Sequence, residues 1–190
     1  MTVHPDQPPT STHRAHASTG SMILMPVVAG ALVAVGLGVY GRLHEPTGIA
    51  VSIAGFSGAQ SAKSWLTTVA SLLALVQLGS ALAMEGKLPG GPRVAPLHRW
   101  SGRVAVLLTV PVVLHCLYAL GFQSGTPRVL IHSLLGCFFF GAFVTKMLVL
   151  TRHGLPGWAL PVIGGLVFSS LIGLWLTSSL WFFTTFGLVV

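Results

Sequence analysis

The chain has 190 residues, of which 53% are hydrophobic and only 7% charged, and its mean hydropathy is +0.83. A water-soluble domain carries about 25% charged residues, so this composition excludes an ordinary cytosolic enzyme and a sizeable extracellular domain. Ten Lys and Arg against three Asp and Glu give a net charge of +7, which here indicates membrane-protein charge asymmetry rather than nucleic-acid binding. Two cysteines are too few for a disulfide framework or a zinc cluster. The sequence therefore predicts an all-α, multi-pass membrane protein.

The amino-terminal segment differs in composition from the rest of the chain. Residues 1–20 are rich in Pro, Ser, Thr and His and have almost nothing to bury, which predicts a disordered cytoplasmic tail. The apolar run over residues 22–40 is long enough to span about 30 Å of hydrocarbon. A cleaved signal peptide is the alternative, but no small-residue cleavage site follows the run. We therefore expect residues 21–190 to form a transmembrane helical domain.

Five apolar segments follow one another, and runs of this length and uniformity favour helices over barrel strands. The expected transmembrane helices cover about residues 22–42, 62–84, 97–120, 128–150 and 157–178. In the first helix, Gly30, Ala34 and Gly38 form a small-residue face suited to close helix packing. The segment 45–61 is apolar enough to dip into the membrane interface and cover a site. Residues 180–190 either extend the fifth helix or lie in the interface.

The distribution of positive charge predicts the orientation in the membrane. With the amino terminus inside, seven of the ten Lys and Arg residues lie at the inner face, and only Arg42, Lys63 and Arg128 lie outside. Tyr and Trp residues near both ends of the helices agree with an aromatic belt. We expect the amino terminus in the cytoplasm, the carboxyl terminus outside, and a location in the bacterial cytoplasmic (inner) membrane among its lipids.

Histidines are the residues that could carry chemistry within the membrane, where an ionisable group is costly to keep. None of the three acidic residues is expected at mid-membrane depth, which argues against a carboxylate-based ion pathway or a Ser/His/Asp triad. Of the eight histidines, five lie in the tail or at helix ends. His98, His115 and His132 differ, because they fall within or at the start of the third and fourth spans.

His115 and His132 are expected at one depth, roughly 7–9 Å below the hairpin that joins these spans, given a rise of ~1.5 Å per residue. Two imidazoles at one depth on antiparallel helices are what a bis-histidine haem site requires. We expect both to be axial ligands of haem iron. The residues expected to pack around the haem follow at helical spacing: Gly136, Phe139, Phe140 and Phe143. The alternative is that the histidines form interhelical hydrogen bonds and their neighbours pack in the ordinary way.

The spacing of these residues limits the haem hypothesis. Antiparallel neighbours pack about 8–10 Å apart, so a haem between them needs splayed helices, and Pro111, four residues before His115, offers a bend. His98 is a third candidate ligand and lies about 25 Å from His115 along the helix axis. The two side chains point in directions about 100° apart around that axis, so they do not share one face. His98 lacks an obvious histidine partner. The alternative for His98 is a surface position beside Arg99 and Arg103, in contact with lipid headgroups.

The third span opens with His98 in the stretch HRWSG and carries His115, and the fourth span carries His132. This pattern of histidines resembles that of membrane b-type cytochromes, in the style of the cytochrome b561 and ferric-reductase-like families. The stretches HRWSG, PVVLHCLYALGF and HSLLGC also look like an uncharacterised family of bacterial five-helix membrane proteins, over roughly residues 60–182. The cytochrome resemblance implies electron transfer through non-covalent haem b. Those families commonly carry two pairs of in-membrane histidines, whereas this chain has three candidate histidines in its spans. We therefore expect one haem near the outer face. Two haems are the alternative.

Two functional hypotheses follow. The first is a b-type haem protein that transfers electrons between a quinol or a partner protein and an acceptor near the outer face. The second is a non-catalytic anchor or scaffold subunit of a larger complex, with the histidines as interhelical hydrogen bonders. A homo-oligomer is compatible with either hypothesis, and no nucleic-acid partner is expected. The sequence leaves open whether the protein is an oxidoreductase that turns over a substrate or only relays electrons.

Overall fold

The computed structural model describes residues 19–49 and 55–190. Within these ranges five helices are long and apolar enough to cross a membrane, and no strand occurs, so the predicted all-helical, multi-pass fold is confirmed. Nearly all of the predicted tail, and residues 50–54 of the predicted interfacial segment, lie outside the described residues. The orientation of the termini stays a prediction.

The helices leave out at most two residues of any predicted span and extend beyond several of the spans. Their bounds are α1 Thr19–Leu43, α2 Ala59–Met84, α3 Val94–Leu114, α4 Pro127–Val149, α5 Ala159–Trp175 and α6 Trp181–Phe186. A π-helical turn, His115–Leu120, continues α3, and a second, Leu176–Leu180, joins α5 to α6. The fifth span therefore runs from Ala159 to Phe186, and most of the carboxyl-terminal segment extends the helix.

Local sequence explains the hairpin between α3 and α4. Gly121 follows the first π-helical turn with φ of 69°, a left-handed conformation that glycine adopts at little cost and that ends a helix. α4 then begins with Thr126, whose hydroxyl oxygen accepts a hydrogen bond from the backbone N–H of Val129, and with Pro127 in the first turn. We call the end of the bundle that carries residues 121–126 the hairpin end.

Small residues bring α1 and α4 into close contact. A Cβ atom added to Gly141 of α4 would lie 2.6 Å from the carbonyl oxygen of Gly30 and 2.8 Å from Cβ of Ala34. Farther along the helix, a Cβ atom at Gly38 would lie 3.7 Å from Sγ of Cys137. The predicted small-residue face of the first helix is therefore the face that packs against α4.

The remaining helices leave α3 and α4 apart. A buried cluster lies where α2, α4 and α5 meet, formed by Ala70, Ala74, Phe139 and Leu171. α3 packs along α2, whereas α4 packs along α1 and α5. α3 and α4 are consecutive in the chain but do not pack along each other.

Candidate functional site

The gap between α3 and α4 forms a cavity of about 280 Å³ at the hairpin end, here called the hairpin cavity. Residues of all five spans line it, and most of the lining is apolar. Its volume lies near the lower end of the ~300–1,000 Å³ range of small-molecule sites. The polar residues that line it near the hairpin end are Gln60, Lys63, Gln123, Arg128, Ser133, Thr177 and Ser178. Thr67, Thr109 and His132 add polar groups farther along the helices.

His132 lines this cavity with its imidazole held in one orientation. Its Nδ1 lies 3.0 Å from Oγ1 of Thr177. The Thr177 hydroxyl also lies 2.8 Å from the carbonyl oxygen of Gly173, to which it can donate its proton. In the tautomer of His132 that carries its proton on Nδ1, the Thr177 oxygen accepts from this N–H and the lone pair is on Nε2, for which no hydrogen bond to the described residues is found. This is the tautomer that binds a metal through Nε2.

Three of the four residues predicted to pack around a haem also line the hairpin cavity. A Cβ atom at Gly136 would meet only Leu174, at 3.9 Å, so the space beside this glycine is open. Phe139 is buried, and its ring meets that of Phe140 edge to face at 5.1 Å. Phe143 is half-buried and lines neither this cavity nor the one described next.

His115 lies beside a different space. It lines a second cavity, of about 410 Å³ between α2 and α3, and is not part of the hairpin-cavity lining. Its Nδ1 is buried without a hydrogen-bond partner among the described residues. Lys63 and Val112 line both cavities, so these two side chains lie between them. The structure thus places His115 and His132 on neighbouring cavities rather than in a single one.

Both candidate spaces lie beside π-helical turns. His115 opens the first turn, and Thr177, the hydrogen-bond partner of His132, lies in the second. Short π-helical segments are rare in proteins and occur frequently at functional sites. Their joint presence here, beside two neighbouring cavities, marks the hairpin end as the candidate site.

His98 lies at the opposite end of the bundle. Its Nδ1 is 2.9 Å from Oγ of Ser80, and the same hydroxyl lies 2.7 Å from the carbonyl oxygen of Val76, to which it can donate. The side-chain amide of Gln77 donates to the backbone oxygen of His98 and, at 2.8 Å, to Oγ of Ser101. His98 lines neither cavity, and these hydrogen bonds tie α3 to α2.

The residues that sequence reasoning missed at this site are Thr177, Lys63 and Arg128. A guanidinium nitrogen of Arg128 donates to the carbonyl oxygen of Thr177 at 2.6 Å, and its Cζ lies 3.9 Å from the centre of the Trp181 ring. In the sequence, the two cations served only to orient the chain. Lys63 and Arg128 line the same cavity because of how α2 and α5 pack around α4. Local sequence patterns do not predict this packing.

Comparisons with known proteins identify a family but no activity. The family described as a family of unknown function (DUF6529) matches residues 22–190. No curated protein and no solved structure gives a match. The predicted likeness to an uncharacterised family agrees with this result, whereas the resemblance to cytochrome b561 finds no support in it and stays a hypothesis. Among the described residues, no group of three or more His, Cys, Asp or Glu side chains could hold a bare metal ion.

Proposed function

We propose that this chain, which belongs to the family of unknown function DUF6529, is a membrane-embedded b-type haem protein. It transfers electrons between a quinol or a partner protein and an acceptor at the hairpin end. The observation that carries this proposal is the hydrogen bond between Nδ1 of His132 and the Thr177 hydroxyl, which leaves Nε2 of His132 without a partner among the described residues. A histidine that binds a metal almost always donates its second ring N–H in this way, because that bond fixes the ring and raises its basicity.

Four residues of the hairpin cavity would hold a porphyrin: His132, Gly136, Phe139 and Phe140. His132 would supply an axial nitrogen, the open space at Gly136 would admit the edge of the ring, and Phe139 and Phe140 would give it apolar contact. When bound, haem supplies one-electron exchange between ferric and ferrous iron. The chain itself holds the imidazole in place and keeps water away through the apolar lining, which also influences the reduction potential.

His115 is the proposed second axial ligand. This part of α3 lies between the two cavities, because Val113 and Cys116 line the hairpin cavity whereas Leu114 and His115 line the other. Ligation of one iron by both histidines would therefore require this part of α3 to turn. The unpartnered Nδ1 of His115 supports this role, because a buried polar atom without a partner is costly and a ligand would relieve that cost. His98 as the ligand of a second haem stays a prediction from the sequence.

A spectrum of the purified protein tests this function. We expect a sharp b-type α band in the dithionite-reduced minus air-oxidised spectrum, at near one haem per chain, when the protein is expressed with ample haem. His132→Ala should lose the band while the protein stays inserted and monodisperse. His153→Ala is the matched control, because His153 is exposed in the loop after α4. A wild-type protein that is monodisperse and free of haem would overturn the proposal.

A non-catalytic anchor or scaffold subunit is the second candidate function. The observation that favours it is that His132 links α4 to the second π-helical turn and His98 links α3 to α2, both through hydrogen bonds. In that function the imidazoles act as interhelical hydrogen bonders. The wild-type protein would then contain no haem, and His132→Ala and Thr177→Val would lower the unfolding temperature by similar amounts. Retention of haem by the wild type, with its loss in His132→Ala, would exclude this alternative.

A further inference from the structure

Two cations at the hairpin cavity lack an acidic partner. Lys63 and Arg128 both line the cavity and both are half-buried. In the part of the chain that the structure describes, the one ion pair joins Lys87 to Glu85, beyond the far end of α2. A cation next to apolar surface loses part of its hydration, and an anion that pairs with it offsets this cost. No described side chain supplies that anion at the hairpin cavity.

Arg128 is positioned to receive an anion. One guanidinium nitrogen is held by the carbonyl oxygen of Thr177, and the guanidinium lies over the ring of Trp181. These two contacts fix the plane of the group but use only one of its five N–H donors. The planar arrangement of the remaining donors matches the two oxygens of a carboxylate. Because the group is already oriented, binding an anion there orders little additional side chain.

The surroundings of the two cations also favour a negatively charged ligand. Lys63 lies near the start of α2 and Arg128 in the first turn of α4, so the positive ends of both helix dipoles lie at the hairpin end. Gln60 and Gln123, which also line the cavity, carry amide groups that can donate hydrogen bonds. Farther from the hairpin end the lining is mostly apolar, as at Val113 and Phe139. The cavity thus combines a cationic end with a mostly apolar interior.

We propose that Lys63 and Arg128 form a carboxylate-binding entrance to the hairpin cavity. The ligand is an amphipathic anion whose apolar body lies between α3 and α4 and whose carboxylate meets the two cations. Two sources share this chemistry: a haem, through its propionates, and a fatty acid. The haem source rests on the proposed function, whereas the fatty-acid source is independent of it.

Two matched ligand pairs test the proposal on haem-free protein purified in detergent. The first pair is haemin and haemin dimethyl ester, and the second is dibromostearate and its methyl ester; in each pair only the carboxylate charge differs. Both haemin and dibromostearate quench tryptophan fluorescence, and Trp181 lies at the entrance, against Arg128. The dissociation constants are measured for the wild type, for the double variant Lys63→Gln/Arg128→Gln and for Arg152→Gln. Arg152 is an exposed cation at the other end of the bundle and controls for loss of charge alone.

We expect the wild type to bind the acid of at least one pair at least about tenfold more tightly than its ester, the factor that corresponds to ~1.4 kcal/mol. The double variant should lose this preference and Arg152→Gln should keep it. A preference in the haemin pair alone identifies propionates as the ligand group, and a preference for dibromostearate identifies a fatty acid. Equal binding of acid and ester in both pairs, or a preference that survives in the double variant, would overturn the proposal.

Different results would refute the haem function and the carboxylate-binding entrance. Protein that binds dibromostearate through Lys63 and Arg128 but takes up no haem would refute the haem function and leave the carboxylate entrance standing. Protein that binds haemin through His132 but shows no preference for the acid in either pair would refute the entrance and leave the haem function standing. Circular dichroism and size-exclusion profiles of the double variant, compared with Arg152→Gln, show whether the variant is folded.

Discussion

Thr177 and His132, 45 residues apart in the chain, are joined by a hydrogen bond of 3.0 Å between the threonine hydroxyl and Nδ1 of the imidazole. The same hydroxyl lies 2.8 Å from the carbonyl oxygen of Gly173 in α5. When the hydroxyl donates to that carbonyl, it accepts from Nδ1–H of His132 and leaves the lone pair of the imidazole on Nε2. The first experiment below tests this hydrogen bond.

Thr177→Val removes the acceptor for His132 and conserves the shape of the side chain. Groups that hold a metal-binding histidine typically contribute 10–100-fold to metal affinity, so we expect haem affinity to fall by roughly that factor. The measurement is a haemin titration followed at the Soret band. Thr185→Val is the control, because its hydroxyl donates to the carbonyl oxygen of Trp181 within one helix and is exposed. Equal affinities in the two variants would show that the hydrogen bond has no part in haem binding.

The variant His115→Ala tests whether the iron is ligated by one histidine or by two. If His115 is the second ligand, the variant retains haem through His132, but the iron loses a strong-field ligand and changes from low spin to high spin. Electron paramagnetic resonance of the oxidised protein measures this change, and His153→Ala serves as the control. A low-spin signal that is the same in variant and wild type would mean that another group ligates the iron; Cys116, which lines the hairpin cavity, would be the first to examine.

Gly30→Leu should disrupt the packing of α1 against α4. A side chain at this position overlaps the backbone of Gly141 and the hydroxyl of Thr145, and overpacking of this kind typically costs about 1–3 kcal/mol or more. Gly36→Leu is the matched control on the same helix, because a Cβ atom there meets nothing within 4 Å. We expect thermal unfolding in detergent to begin at a lower temperature for Gly30→Leu only. Similar unfolding temperatures for both variants would show that α1 does not pack through this face.

Ser80→Ala tests whether His98 acts as a structural residue or as a ligand. The substitution removes the hydrogen bond between α2 and α3, which in membrane proteins averages about 0.6 kcal/mol, and we expect a small loss of stability with haem content unchanged. Ser64→Ala is the control, because its hydroxyl bonds only to the carbonyl oxygen of Gln60 in its own helix. A fall in haem per chain in Ser80→Ala would instead indicate a second haem at His98.

The sequence was sufficient to predict five spanning helices, because the hydrocarbon thickness sets the length of an apolar run and backbone hydrogen bonding demands a helix. Close packing through Gly30 and Ala34 was also predictable, since small residues at helical spacing lie on one face. The extension of the fifth helix to Phe186 was left open, because the apolar segment at its end suits a helix or an interfacial position equally.

The candidate site was harder to predict from the sequence than the fold, because it depends on tertiary packing. Equal depth of His115 and His132 follows from their distance to the hairpin, but depth does not specify the direction in which each side chain points. α3 packs along α2 and α4 along α5, so the two histidines line neighbouring cavities. The π-helical turns add to this difficulty, because they change the angle between successive side chains where the site residues lie.

The two π-helical turns also determine which changes of chain length the hairpin end tolerates. A π-helical turn closes over five residues rather than four, so it holds one more residue than the α-helical turn it replaces. Deleting Ser178 would remove this extra residue and allow the second turn to revert to α-helix, so the residues after it would keep roughly their positions around the helix axis. Trp181 would stay against the guanidinium of Arg128, and the contacts between residue 189 and α2 would be kept. A deletion from a regular α-helical turn would instead rotate every later residue by about 100°.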